Sequence, residues 1–270
     1  MKLKAGKTYF NDLWYQMKAD LRDFLKTGDQ EKLHHFRVQV KKLRAFLLLI
    51  DHTLPHSKLS KLFKPIRQIF KDGGKIREAY INLQLSSKYE LKNEDFILQQ
   101  VNEMDKDIKA FMDNSKNYMK TVRLVHKELE ADLKEVKGER ISEFYKNQLE
   151  QIALTLSSLE FNEGLHDCRK KIKTLMYNRK IAQKALESSL QLDNDYLDKL
   201  QDHIGEWHDS LLAIELFSAQ GISAKPVVTK IKRQNTRQRK SISNLAGDFW
   251  KKATLADQPV NNGQEVRVWV

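Results

Sequence analysis

The sequence has a single cysteine, Cys168, and only four prolines and ten glycines in 270 residues. One cysteine excludes an intramolecular disulfide and any site built from several thiolates of one chain, and we predict that it is a core residue. Apolar runs are also short. The longest, residues 45–50, is too short to cross a bilayer. The N-terminus lacks the apolar segment of a secretory signal, so we expect a soluble, cytoplasmic protein without membrane insertion.

The scarcity of helix breakers, with abundant Leu, Lys, Glu, Gln and Ala and no alternating β-branched runs, predicts an all-α chain. The glycines at Gly73–Gly74 and at Gly205 are predicted helix breaks. Ser57 is predicted to cap the third helix. Uninterrupted helices are expected from Asn93 to Val136 and from Ser223 to Lys252.

Basic residues exceed acidic ones, 48 against 36, which gives a formal charge of +12 and an isoelectric point near 9.5. This excess favours a polyanionic partner such as nucleic acid, polyphosphate or an anionic membrane surface. No cofactor is predicted.

The tail, residues 257–270, is polar and ends in an alternating segment that is compatible with a short strand or with disorder.

Residues 34–48 are predicted to form one helix with two neighbouring stripes, because spacings of three and four place residues on one face. The apolar stripe contains Phe36, Val40, Leu43 and Leu47. The cationic stripe contains His34, Arg37, Lys41 and Arg44. A solvated face, with basic side chains covering apolar neighbours, would explain one such stripe on its own.

The cationic stripe recurs, however, at His166, Arg169 and Lys173, with Met176 in the place of Arg44. A second matched pair lies downstream of the stripes, at residues 74–78 and 205–209. In each of these segments a glycine is followed three and four residues later by a polar or basic residue and an acid. A solvated face has no reason to recur in register, so the sequence predicts an internal duplication. The predicted units are residues 1–137 and 138–256, followed by the tail at 257–270.

A third cationic stripe lies near the C-terminus, where no acidic residue occurs between Leu216 and Gly247. Its members repeat the spacing of the other two stripes: Lys230, Arg233, Arg237 and Lys240. The absence of nearby acids leaves the stripe without neutralising partners. A further basic face, at residues 116–127, is interspersed with acids and is predicted to be solvated.

Three motifs together resemble the CHAD domain, the conserved histidine α-helical domain. They are H-x-x-R-V-x-x-K-K-L-R at His34, H-x-x-R-K-x-x-K-x-L-x-Y at His166 and G-x-x-H-D at Gly205. The resemblance extends from about Tyr9 to Lys252. It implies two four-helix bundles related by an approximate two-fold axis, with a basic central groove. It also implies binding of inorganic polyphosphate and location at polyphosphate granules.

The resemblance implies a polyphosphate-binding set on both stripes, to which we add the third stripe. The set is His34, Arg37, Lys41, Lys42, Arg44, His166, Arg169, Lys170, Lys173, Lys180, Lys230, Arg233, Arg237 and Lys240. The chain departs from the family pattern at Met176, Thr174 and Glu78. Lys180 lies on the same arc as the second stripe and could compensate for these departures.

We therefore predict a non-enzymatic polyphosphate-binding module, in which the two stripes line one channel. One alternative is a metal-dependent all-α phosphohydrolase that uses the His166-Asp167 and His208-Asp209 pairs. Another is a general nucleic-acid or polyanion binder that uses the C-terminal stripe. Residues 223–240 lack the interleaved aromatic residues typical of single-strand binders. His34 and His166 are compatible both with phosphate contact and with a structural role.

Overall fold

A computed structural model describes residues 1–186, 190–219 and 225–254 of the chain, and these residues form eleven helices. The helices are α1 (Leu3–Thr27), α2 (Gln30–Thr53), α3 (Leu59–Leu62), α4 (Lys64–Lys88), α5 (Glu94–Asp113), α6 (Ser115–Asp132), α7 (Gly138–Ser157), α8 (Glu163–Leu186), α9 (Asn194–Ser218), α10 (Lys225–Ala246) and α11 (Phe249–Ala253). Outside the helices, the described ranges contain one isolated bridge, between Leu192 and Thr254, and no strand. The all-α prediction is confirmed. The predicted tail at 257–270 lies outside the described residues.

One hydrophobic core passes through helices on both sides of the connection at residues 133–137. It contains Phe10 and Trp14 of α1 as well as Cys168 of α8, and all three side chains are buried. A smaller cluster likewise joins Phe96 of α5 to Phe217 of α9. Residues before and after this connection therefore share one hydrophobic core. No helix of the described ranges combines the length and the apolar composition needed to span a membrane.

Helix α2, which carries the first cationic stripe, begins at a capped end. Asp29 accepts a hydrogen bond from the backbone N–H of Glu31 and so satisfies one free donor of the first turn. The predicted apolar stripe of this helix is fully buried: Phe36, Val40, Leu43 and Leu47. Burial of this stripe fixes the rotation of α2 and therefore the direction of the neighbouring cationic stripe.

Two predicted glycine breaks are wrong, because α4 passes through Gly73–Gly74 and α9 passes through Gly205. These glycines allow other side chains to approach the helix. A Cβ atom at Gly73 would lie 2.9 Å from a methyl carbon of Leu33. Close packing between helices, and not an interruption, accounts for glycine here.

Two helices predicted as continuous are instead interrupted. The segment from Asn93 to Val136 divides at Asn114, whose side-chain amide donates to the carbonyl of Ala110 and competes with the helical pattern. The C-terminal segment divides at Asp248, which adopts a left-handed conformation with φ of 54°. The expected start of that helix, at Ser223, lies outside the described residues.

The predicted cap at Ser57 is also wrong, because Asp51 occupies that role for α3. The Asp51 carboxylate accepts from the backbone N–H groups of Leu59 and Ser60 at 2.9 and 2.8 Å. Ser57 serves as a third donor to the same carboxylate, at 2.6 Å. Pro65 lies in the first turn of α4, where a missing N–H costs nothing.

Candidate anion-binding site

Helices α2 and α8 pack against each other, and this contact brings the first two cationic stripes together. Four of their residues form what we call the central cluster: Arg37, Lys41, Arg169 and Lys173. Lys41 experiences the charges of the other three members. Asp209 of α9 is the acid whose charge reaches both lysines of the cluster. Two stripes that lie far apart in the sequence therefore contribute to one electrostatic site.

Lys41 is the least compensated cation of the central cluster. Its side chain is exposed to water, and no hydrogen bond or ion pair joins it to another of the described residues. Surrounding protein atoms nevertheless displace part of its hydration. This burial, together with the charges of Arg37, Lys173 and Arg169, lowers the pKa of Lys41 to about 8. A bound anion would relieve both unfavourable effects.

Arg37 is held against α4 by three contacts. Its guanidinium donates a hydrogen bond to the carbonyl of Phe70 and lies 4.0 Å from the centroid of the Phe70 ring. A Cβ atom at Gly74 would lie 3.0 Å from Nη1 of Arg37. Burial, and then the charge of Arg77, lowers the pKa of Arg37 to about 10, so it remains cationic at neutral pH.

Arg169 makes the corresponding contacts with α9. Its Nε donates to the carbonyl of Gln201 at 2.9 Å, and a Cβ atom at Gly205 would lie 2.6 Å from Nη2. In both cases an arginine lies over a helical glycine and donates to the carbonyl four residues before that glycine. In the sequence, the only sign of this arginine–glycine contact is that the glycine recurs at the same distance from both stripes. We interpreted the two glycines as helix breaks and therefore did not predict the contact.

Each stripe histidine is also affected by the residue that follows the corresponding glycine by three positions. The positive charge of Arg77 acts on His34, and the ring of His166 stacks on that of His208 with centroids 3.8 Å apart. Burial and the neighbouring positive group lower the pKa of both stripe histidines. Nδ1 of His166 is buried without a hydrogen-bond partner among the described residues. Neutral histidines at pH 7 therefore contribute packing to the site and little charge.

The lysines of the second stripe differ in how far they are neutralised. Nζ of Lys173 donates a hydrogen bond to the side-chain amide oxygen of Gln201 at 3.3 Å. The pKa of Lys173 is lowered by burial and then by the charge of Arg169, and nearby aspartates partly oppose this shift. Lys170 forms ion pairs with Glu163 at 3.3 Å and Asp167 at 2.8 Å. These pairs raise the pKa of Lys170 despite an opposing effect of burial. Lys173 therefore belongs to the cluster electrostatically, whereas Lys170 is compensated locally.

The remaining predicted residues of the first two stripes lie around the cluster. Arg44 is exposed, and burial and the charge of Arg67 lower its pKa. Arg67 of α4 is a neighbouring cation that the sequence reasoning missed, because it belongs to no stripe. Lys42 is half-buried and Lys180 is exposed. Among the described residues, no hydrogen bond or ion pair connects Lys42 or Lys180 to the cluster.

All four members of the third stripe, on α10, are exposed, and one of them reaches a groove beside the central cluster. Arg237 lines a groove of about 1150 Å³ that Arg37 and Arg77 also line. Lys230 instead lies 6.0 Å from the ring centroid of Tyr89. Arg233 and Lys240 are exposed and do not line the groove. The stripe is therefore divided between the groove and the outer surface.

Charges of both signs line this groove. Its cations are Arg37, Arg77, Lys88 and Arg237, and its acids are Glu78, Glu206, Asp209 and Glu215. Equal numbers of the two signs leave this groove close to neutral overall. Arg37 is shared between this groove and the central cluster, which lies at the contact between α2 and α8 and whose four cations form no ion pair within the described residues.

The two His-Asp pairs do not form a metal site among the described residues. Ring stacking places His166 on His208, and Asp167 is occupied by its ion pair with Lys170. No group of three or more His, Cys, Asp or Glu side chains converges within the described ranges. The donor set that metal-assisted hydrolysis needs is therefore not assembled by these residues.

Comparison with known proteins agrees with the all-α fold. A sequence model of the CHAD domain matches residues 8–218. The crystal structure of the CHAD domain from the plant Ricinus communis is similar over 90% of this chain and 91% of that chain, with a TM-score of 0.62 and 15% identity. No curated protein matches the chain.

Proposed function

The chain belongs to the CHAD domain family, and on that premise we propose that it is a non-enzymatic protein that binds inorganic polyphosphate. The central cluster carries the proposal. Four cations from two helices meet there, and none of them forms an ion pair with a carboxylate of the described residues. Such a cluster is unfavourable in the free protein and is relieved by a polyanion.

Polyphosphate suits this arrangement because it carries about one negative charge per phosphate along a flexible chain and presents no bases. Lys41 and Lys173 would supply mobile point charges, while Arg37 and Arg169 would present the guanidinium N–H groups that their helix contacts leave free. Affinity would derive largely from counterion release and fall steeply with salt concentration. With fixed arginines and mobile lysines, the site would bind polyphosphate in many registers along the polymer.

We further propose that the site arose by duplication, with residues 1–137 and 138–256 as its two units. The matched contacts of Arg37 with Gly74 and of Arg169 with Gly205 support this interpretation. They recur at equivalent places in the two stripes, although their partner helices share little sequence. Each unit would supply one arginine and one lysine to the central cluster.

A double charge reversal tests the proposed site. We expect Lys41→Glu with Lys173→Glu to weaken binding of labelled polyphosphate by at least roughly ten-fold, from fluorescence anisotropy at moderate salt. The matched control is Lys116→Glu with Lys120→Glu, because both lysines are exposed on α6 and the change in net charge is identical. Equal losses in the two variants would refute a site at the central cluster.

Two further measurements separate the proposal from its alternatives. Competition between polyphosphate and transfer RNA at matched charge should favour polyphosphate, whereas equal competition would indicate a general polyanion binder. Release of phosphate from polyphosphate in the presence of magnesium or manganese would contradict a non-enzymatic role. Location at polyphosphate granules remains a prediction, which a fluorescent fusion would test.

A further inference from the structure

The groove beside the central cluster lies between two helices that pack mainly on other helices. Helix α4 packs mainly against α5 and α9 mainly against α10, so an open space remains between α4 and α9. Tyr89 joins the two walls at one end, because its ring centroid lies 5.9 Å from that of Phe217 and its hydroxyl donates to Gln234 at 3.0 Å. The α4 wall runs from Gly74 to Tyr89, which is about 22 Å of helix. The groove is therefore preformed and about four helical turns long.

Large apolar side chains occupy corresponding places on the two walls. Ile81 of α4 and Leu212 of α9 each lie seven residues after the glycine on which an arginine packs. Their exposed fractions are 41% and 52%. Leu85 and Leu216 follow four residues later and are half-buried. Apolar side chains that face water within a concave site indicate a surface that a partner covers.

The charges of this groove are separated between its sides. The acids of the α9 wall, which contributes no cation, are Glu206, Asp209 and Glu215. The cations of the opposite side are Arg37 of α2 and Arg77 and Lys88 of α4. Glu78 of α4 and Arg237 of α10 are the exceptions. The ion pairs that these residues form run to Glu31 and to histidines of α9, and within the described ranges none crosses the groove.

We propose that the groove between α4 and α9 binds an amphipathic α-helix of a partner protein. The apolar stripe of that helix would cover Ile81 and Leu212. Basic residues along one edge of the stripe would face the acids of α9, and acidic residues along the other edge would face Arg77 and Lys88. A polyanion suits this groove poorly because the α9 wall would repel it, and a purely apolar ligand would leave both rows of charges unpaired. The inference does not rest on the proposed function.

The experiment measures binding of labelled synthetic helices to the intact protein, by fluorescence anisotropy at physiological ionic strength. Three peptides of about fourteen residues share one leucine stripe at helical spacing. The first has lysines along one edge and glutamates along the other, the second has lysines at both edges, and the third has glutamates at both. The first should bind at least roughly ten-fold more tightly than the others, because it alone complements both sides of the groove.

Two results of this comparison would overturn the proposal. One is a first peptide that shows no saturable binding. The other is tighter binding by either of the remaining peptides, and a preference for the glutamate peptide would indicate an acidic or polyanionic occupant.

Paired substitutions localise the binding. Ile81→Asp with Leu212→Asp should weaken binding of the first peptide by at least roughly ten-fold, because two apolar contacts are lost. The matched control is Leu98→Asp with Leu154→Asp, since both leucines are exposed outside the groove and the change in net charge is identical. Equal losses in the two variants would overturn a site in this groove.

A charge reversal tests the acidic wall separately. Glu215→Lys should weaken binding of the first peptide several-fold and strengthen binding of the glutamate peptide. Glu128→Lys is its control, because Glu128 is exposed on α6, outside the groove, and the charge change is the same. Equal effects of the two reversals would show that the peptides respond to overall charge and would overturn the proposed match of charges.

Discussion

The guanidinium of Arg169 occupies the space that a side chain at Gly205 would fill, with Nη2 2.6 Å from the position of a Cβ atom. Arg37 and Gly74 stand in the same relationship at 3.0 Å. Each glycine lies inside a long helix, where alanine would normally be more stable by about 1 kcal/mol. The stability of each helix is therefore coupled to the arginine that packs on it.

We predict that this coupling appears in a double-mutant cycle between Arg169 and Gly205. In the parent chain, Gly205→Ala should give none of its usual helix stabilisation, because it displaces Arg169 and breaks the hydrogen bond to Gln201. In the Arg169→Ala background the same change should stabilise by about 1 kcal/mol. Urea unfolding, followed by circular dichroism, measures both values.

The pair Arg37 and Gly74 serves as the comparison, and its looser contact should give a smaller coupling energy. Additive effects at Gly205 and Arg169 would show that the arginine moves aside without cost. That result would remove the structural explanation for the recurrent glycine.

The sequence predicted the helical stripes well because burial and periodicity are local properties. The apolar stripe of α2 is buried as expected, and the cationic stripes lie beside it. The glycines were misinterpreted for a physical reason. Sequence reasoning treats Gly74 and Gly205 as flexible backbone, whereas here they serve as space for side chains from other helices. Such space is a tertiary property and has no local signal.

The spacing of the basic residues also did not show which of them are neutralised by nearby carboxylates. Lys170 and Lys173 lie on the same helix and appear equivalent in the predicted set. Their difference depends on Glu163 and Asp167, which reach Lys170, and on the packing of α2 against α8, which places Lys173 near Lys41. Spacing alone could not rank these residues.

The cap of α3 gives a second prediction, which concerns stability. Asp51→Ala should destabilise the protein by about 1–2 kcal/mol, because it leaves the backbone N–H groups of Leu59 and Ser60 without their acceptor. Ser57→Ala removes only one donor to the same carboxylate and should cost less. Urea unfolding of the two variants compares them directly. A larger loss of unfolding free energy for Ser57→Ala than for Asp51→Ala would show that Ser57 is the principal cap.

The same carboxylate predicts a dependence of stability on pH. Burial opposes ionisation of Asp51, but hydrogen bonds from Ser57, Ser60 and Leu59 outweigh it, so its pKa lies below the ordinary value of 3.8. Because the folded state favours the ionised form, the stabilisation is present above pH 3.8 and is lost as the pH falls further. The Asp51→Ala variant should therefore lose less stability than the parent chain over that acidic range.

A fourth prediction compares two neighbouring lysines in polyphosphate binding. Lys173→Gln should weaken binding several-fold, roughly the effect of losing one charge-assisted contact. Lys170→Gln should change affinity little, because the charge of Lys170 is already compensated by Glu163 and Asp167. Anisotropy titrations at one salt concentration suffice, since the two variants have the same net charge. Equal effects would show that binding depends on overall charge and not on the cluster.

The last prediction concerns the pH dependence of binding. Only the protonated form of Lys41 attracts phosphate, and its pKa in the free protein is about 8, against 10.5 for an ordinary lysine. Polyphosphate affinity should therefore decline as the pH rises from 7 to 9, well before ordinary lysines lose their charge. Lys41→Arg should bind with nearly constant affinity over this range, because a guanidinium remains protonated. Phosphate in the polymer chain is fully ionised throughout, so the ligand contributes no compensating change. An identical decline in the parent chain and in Lys41→Arg would assign the titration to another group and remove Lys41 from the site.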